Sequence, residues 1–349
     1  MEKRETGKGE AVASVKEIFG LSGPLYLTAV DWENFNHRRS VAASLVQGVS
    51  IQERDRQQSR QGHQSQASPW WNFFHFQLIS PLIDEVDSSI FGAIYQYKPF
   101  VFHHKAPKYV IAFRGTLNKP DSRLRDFKLD IQAIRSKLHQ SSRFHLAMQA
   151  VQDVVAVEGA ANIWLAGHSL GSAIALLLGK KMTRLNYPIE TYLFNPPFVS
   201  LPIESIGNPM VKQGIRIANS VIKAGIAVAV KGKHHNSQRD GSFFALSNWV
   251  PYLFVNPADH ICSEYIGYFE HRKKMEEVGG AKIERLATQI SLGNMIFGVR
   301  ERDCEPSHLL PSAYLTINMI QTPDFKRAHG IHQWWDPSFR GRSELHLFR

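Results

Sequence analysis

Two hydrophobic periods divide this chain. Apolar residues at strand spacing run from Phe91 to Tyr97 and from Phe100 to His103, predicting a strand pair. Short, almost wholly apolar runs predict buried strands at Tyr109 to Phe113, Ile163 to Ala166, Ile189 to Phe194 and Tyr252 to Val255. Between them the period becomes helical, from Phe144 to Val157 and again from Leu170 to Met182. The second stretch is nearly all apolar, as a helix pressed against a sheet would be. Buried strands separated by helices imply an α/β fold with a mostly parallel central sheet and helices on its faces.

The flanking regions are less regular. Residues 1–20 are expected to be a flexible tail and residues 21–90 an N-terminal helical extension. Leu25, Leu27 and Val30, then Val41, Leu45 and Val46, recur at helical spacing, and a polar loop or helix end follows from Gln52 to Ser68. The aromatic run Pro69 to Phe76 is read as a core anchor for these helices. The main domain is expected over 91–325, with an insertion at 196–248 and a C-terminal tail at 326–349. Within the insertion, Met210 to Lys231 is amphipathic and basic. A helix packed on the body is the favoured reading, with a lid or membrane-contact helix as the alternative.

Composition narrows the chemistry. The 349 residues are 43% hydrophobic, enough for a large core. The two cysteines, Cys262 and Cys304, exclude a disulfide framework. The net charge of +10 favours polyanions or an anionic membrane surface, yet the basic residues are spread out and form no Lys/Arg block. Nucleic acid is therefore not an expected partner. The chain has no H-E-x-x-H, C-x-x-C, G-x-G-x-x-G or Walker loop, so no metal or cofactor is expected. The N-terminus lacks the apolar stretch of a secretory signal, and there is no run of about 18 apolar residues. A cytoplasmic protein is expected, with peripheral contact to a membrane or lipid-droplet surface as its closest association with lipid.

Gly167-His168-Ser169-Leu170-Gly171 carries the most information. It is a G-x-S-x-G between a buried strand and an apolar helix, the context of the nucleophile elbow in the α/β-hydrolase fold. A serine hydroxyl is a poor nucleophile until a base takes its proton. The sharp turn lifts Ser169 out of the sheet, and the free N–H groups of the following helix favour negative charge beside it.

Together with Ala112-Phe113-Arg114-Gly115-Thr116, this motif resembles the plant branch of the class 3 lipase family, over roughly Phe91 to Met319. The branch often carries a GDSL esterase/lipase label, but the chain has no Gly-Asp-Ser-Leu string. The resemblance implies an α/β-hydrolase that cleaves acyl esters of lipids through a Ser-His-Asp triad, without a cofactor.

The fold orders the triad as Ser, acid, His along the chain. Asp259 fits the acid, since it follows the Tyr252 to Val255 strand through Asn256-Pro257-Ala258. The resemblance agrees, although His260-Ile261-Cys262-Ser263 stands where the family has a Pro-rich stretch. For the oxyanion, the expected donors are the N–H of Leu170, just after the nucleophile, and Thr116, in the loop after an earlier strand. Arg114 is expected to brace that loop by pairing with Asp126.

Six histidines follow the acid: His260, His271, His308, His329, His332 and His346. His260 adjoins Asp259, and His271 lies in a charged stretch read as a solvated helix face. His329, His332 and His346 fall in the expected tail. His308 opens a loop into an apolar segment read as the last core helix, which resembles the class 3 pattern apart from Pro311. His308 is therefore the expected base, with His329 or His332 as the alternative. The competing functional reading is a non-catalytic protein of the same fold that binds a hydrophobic ligand or a protein partner.

Overall fold

The computed structural model describes residues 23–24, 26–66, 70–101, 103–116, 138–198, 245–277, 310–322 and 324–348. Eight described strands form one sheet: β1 Phe76–Ile83, β2 Ile90–Tyr97, β3 Tyr109–Phe113, β4 Ile163–His168, β5 Glu190–Phe194, β6 Tyr252–Val255, β7 Ala313–Asn318 and β8 Gly341–His346. They lie side by side in chain order. β3 to β7 are parallel, while β1, β2 and β8 run antiparallel to their neighbours. The helices are α1 Phe35–Gln57, α2 Ser142–Glu158, α3 Leu170–Arg184, α4 Glu264–Glu277 and α5 Phe325–His329.

Sequential order explains the layering. Parallel crossovers are right-handed, so stepping one way across a sheet keeps putting the helices on the same face. α2, α3 and α4 all lie there. Phe144, Val151, Ile174, Leu178, Tyr265 and Phe269 pack on Ile111, Phe113, Leu165, Leu193, Leu253 and Leu315. The alternate strand residues, Val110, Ala112, Trp164, Ala166, Tyr192 and Phe254, point to the opposite face, where Val41, Leu45 and Val49 of α1 cover them. The strand period of two thus feeds two cores from one set of apolar runs.

Four expectations about elements change. The described residues of the expected strand Phe100 to His103 form none, and Phe100 is fully exposed. β2 pairs instead with β1, an edge strand hidden in sequence by Ser80-Pro81 and by two register shifts. Pro is tolerated at an edge because its missing N–H faces no partner strand. α1 continues beyond Val49 through the polar stretch to Gln57, because Glu53 and Asp55 are buried there and bonded to Arg56 and Arg60. The apolar segment near Leu315, read as a helix, is β7, with Ala313, Leu315 and Ile317 on one face.

The fourth change concerns the C-terminal residues. α5 and β8 are part of the main body, and β8 completes the sheet against β7. Between them Ile331, Trp334 and Trp335 pack on the α1 face, and Trp334 is wholly buried against Phe194 and Phe254. Arg39 of α1 donates to the Trp334 carbonyl at 2.7 Å. Trp334→Ala is expected to destabilise the fold by about 3–5 kcal/mol, the cost of emptying a large aromatic site. Denaturant unfolding measures this, and a change below about 1 kcal/mol would mean that the segment is dispensable to the core. The amphipathic stretch from Met210 to Lys231 lies outside the described residues.

Candidate active site

The parallel strands deliver chemistry at their C-terminal ends, the edge where open α/β sheets gather ligand groups. β4 runs into Ser169, which caps α3 at φ 52° and ψ −122°. A residue with a Cβ is strained at such angles, and the packing around the turn explains why they persist. A Cβ on Gly167 would sit 2.4 Å from the Gly171 carbonyl oxygen, and one on Gly171 would sit 2.3 Å from the Phe113 carbonyl oxygen. Both glycines are needed for β4, α3 and the end of β3 to approach this closely. Ser169 is 1% exposed, and its hydroxyl has no hydrogen-bond partner among the described residues. Its backbone N–H donates to the Phe194 carbonyl of β5 at 2.9 Å.

β3 ends at the segment expected to hold the oxyanion. A Cβ on Gly115 would lie 3.0 Å from the Ser169 Cβ, so this loop runs against the elbow. Thr116 follows, exposed. Leu170 is buried as the first residue of α3, where helix N–H groups have no intrahelical partner. Arg114 is nearly buried and donates from Nη1 to the Gly115 carbonyl at 2.8 Å and from Nε to the Ile90 carbonyl at 2.5 Å. Burial, above all, lowers its pKa to about 10. Its expected partner Asp126 lies outside the described residues. The described acid beside it is Glu53 of α1, at 4.0 Å, which also accepts from the Ile90 N–H at 2.8 Å. The N-terminal helix thus braces the segment after β3.

Asp259 follows β6 and is completely buried. Its Oδ2 lies 2.8 Å from Nδ1 of His329. The same oxygen accepts from Asn195 Nδ2 at 2.7 Å and from the Cys262 thiol at 3.2 Å, while Oδ1 accepts from the Ile261 N–H at 3.0 Å. Burial pushes the carboxyl up, but the adjacent His329 and these hydrogen bonds outweigh it and hold Asp259 below the usual carboxylate range. An ionised carboxylate only accepts, so Nδ1 of His329 carries the proton on this bond. In the neutral ring the lone pair is then on Nε2.

His329 also lies against the residue before the serine. The His168 and His329 rings are 4.9 Å apart, and His168 Nε2 meets the His329 carbonyl at 2.7 Å. Burial above all lowers the His168 pKa to about 3, so the ring is neutral and donates from Nε2. Phe325 stacks on the other ring, with centroids 5.3 Å from those of His329.

His308 lies outside the described residues, so its expected pairing with Asp259 has no geometry here. The histidine brought onto the acid is His329, the alternative from the expected tail. Its signal in the sequence was the tandem Trp334-Trp335 just downstream, since large aromatics mark cores more often than tails. His260 and His332 are exposed, and His346 stacks on Phe269 from β8. His271 is buried rather than solvated, because Arg272 beside it reaches inward to the Pro311 carbonyl at 2.6 Å. Among the described residues no group of His, Cys, Asp or Glu could hold a metal ion. No described helix is long and apolar enough to cross a membrane.

A mostly parallel sheet with a strained serine at a strand–helix turn, and an acid and histidine after later strands, is the α/β-hydrolase fold. Residues 110–211 match the family described as Lipase (class 3). The chain is also 50% identical to an Arabidopsis thaliana protein named GDSL esterase/lipase, across 96% of this chain and 99% of that one. No solved structure matches it. The chain belongs to the plant branch of the class 3 lipase family and is a hydrolase of the lipase/esterase kind.

Proposed function

We propose that the protein cleaves carboxylic esters of acyl lipids through a triad of Ser169, His329 and Asp259 and an acyl-enzyme intermediate. The observation that carries this reading is the 2.8 Å contact between buried Asp259 and His329 Nδ1, beside an elbow serine at positive φ. Nε2 of His329 takes the Ser169 proton as Oγ attacks the ester carbonyl. Asp259 holds the ring in the tautomer that puts the lone pair on Nε2 and stabilises the imidazolium that forms. The N–H of Leu170 and Thr116 are the donors for the oxyanion. Collapse of the tetrahedral intermediate expels the alcohol, which takes the proton from His329 and leaves the acyl group on Ser169. Water, deprotonated by the same histidine, releases the acid and restores the serine.

The substrate class follows the family: an acyl lipid or related ester, reached by peripheral contact with a membrane or lipid-droplet surface, in the cytoplasm. No nucleic acid partner and no cofactor belong to this reading. A fluorophosphonate probe should form a covalent adduct on Ser169 of the native protein, located by mass spectrometry of the digested adduct. A folded protein that hydrolyses no ester in a panel from short soluble esters to galactolipids, and takes up no probe, would favour a non-catalytic binder of hydrophobic ligands.

A further inference from the structure

An asparagine stands at the C-terminal end of each of β5, β6 and β7: Asn195 and Asn256 just after the first two, and Asn318 as the last residue of the third. All three are buried, and each belongs to the hydrogen-bond network around the segment that carries His329. Asn256 and Asn318 act through Gln333: their amide groups donate to its Oε1 at 2.8 and 3.0 Å. Gln333 in turn donates to the carbonyls of Ala328 at 2.7 Å and Gly330 at 2.8 Å. Asn195 is different, because it reaches the acid directly.

Asn195 makes three hydrogen bonds to nitrogen and oxygen partners through its side chain, beside a longer one from Nδ2 to the Cys262 sulfur at 3.7 Å. Nδ2 donates to Asp259 Oδ2 at 2.7 Å and to the Ala328 carbonyl at 3.0 Å. Oδ1 accepts from the Trp334 indole N–H at 2.7 Å. The indole can only donate, so it must face the amide oxygen. That decides which way the amide is turned. Its two hydrogens are then left for the two acceptors, the carboxylate of the acid and the carbonyl just before His329. A flipped amide would oppose oxygen to oxygen at Asp259 and leave two buried donors facing each other at Trp334, a cost of a few kcal/mol. The backbone of Asn195 supports the same placement. Its φ of 48° lies in the left-handed region, which Asn and Gly tolerate best.

We infer that Asn195, oriented by Trp334, is a positioning residue that locks Asp259 and the His329 loop into one unit. This rests on the triad reading above and adds a part to it. Asn195 touches neither substrate nor the reacting atoms; it acts by holding the acid and the base at their working separation. Gln333 also grips the loop, so what Asn195 adds is a second tie between loop and carboxylate, beside the His329 bond itself.

Two variants test this. Asn195→Gly keeps the positive φ at no steric cost and removes the side chain with its amide. Trp334→Phe keeps most of the ring volume and removes the donor that orients the amide. Asn195→Gly is expected to lower kcat about 10- to 100-fold on a short soluble ester, the scale found when groups orienting a reactive centre are removed. KM should stay within about twofold, since no substrate contact is lost. Trp334→Phe should lower kcat by about fivefold, the size of one net hydrogen bond. The low-field proton resonance of the His329 Nδ1–H bond to Asp259 should shift or broaden in both variants. Native kcat in folded Asn195→Gly, or an unchanged resonance, overturns the positioning role. A shifted resonance in a protein whose native form hydrolyses no ester would instead leave the positioning in place and remove the triad reading.

Discussion

His329→Ala is expected to cut turnover by about 10⁴ or more while leaving a folded protein, the scale of loss seen when a triad member is removed. The ring is at the edge of the buried region, 8% exposed, and its removal opens a space beside the elbow rather than in either sheet core. Stability should therefore fall far less than in Trp334→Ala. The control is His308→Ala. On the present reading it retains most activity, because the base is the ring held 2.8 Å from Asp259. Steady-state kinetics on one soluble ester, with thermal melts of both variants, decides the matter. Collapse in His308→Ala with normal turnover in His329→Ala would return the base to the segment read from sequence as the start of the last core helix.

Ser169→Ala should be the most damaging change to chemistry and the least damaging to structure. The hydroxyl has no hydrogen-bond partner among the described residues, so its loss leaves no described group unsatisfied. The backbone must still adopt φ 52°, where Ala gains nothing over Ser and loses little. Activity is expected to fall by about 10⁴-fold or more, and combining Ser169→Ala with His329→Ala should cost scarcely more than either alone, because the two act as one unit. Non-additivity of this kind separates a triad from two independent contributions to folding, which would sum. Additive losses, or a Ser169→Ala protein with native turnover, would sink the hydrolytic mechanism.

The elbow was legible because all its requirements are local. Gly167, Ser169 and Gly171 lie within five residues, and the strand before and helix after them announce themselves by period. Asp259 was legible as a candidate acid by its place just after β6 and Asn256. The contact of His329 with Asp259 was not, because nothing near His329 in the chain says that an acid 70 positions back will be its partner. The stretch between β7 and β8 mixes polar residues with Ile331, Trp334 and Trp335 and shows no regular apolar period, so it reads alike whichever acid its histidine meets.

What the sequence determined by itself is therefore the set of strands from β2 to β6, the helices α2 and α3 and the elbow between β4 and α3. Each depends on residues close in the chain, whose spacing is set by backbone geometry alone. The tertiary structure decided the rest. β1 and β8 are strands because a neighbouring strand offers them hydrogen bonds, and β7 because it lies between β6 and β8. Glu53 and Arg114, remote in sequence, come together because α1 lies across the sheet. His329 reaches Asp259 because Trp334 anchors the end of the chain against Phe194 and Phe254, which brings the preceding loop to the ends of β4, β5 and β6. Partners so far apart along the chain are selected by the burial of large apolar groups, a non-directional force that no local pattern encodes.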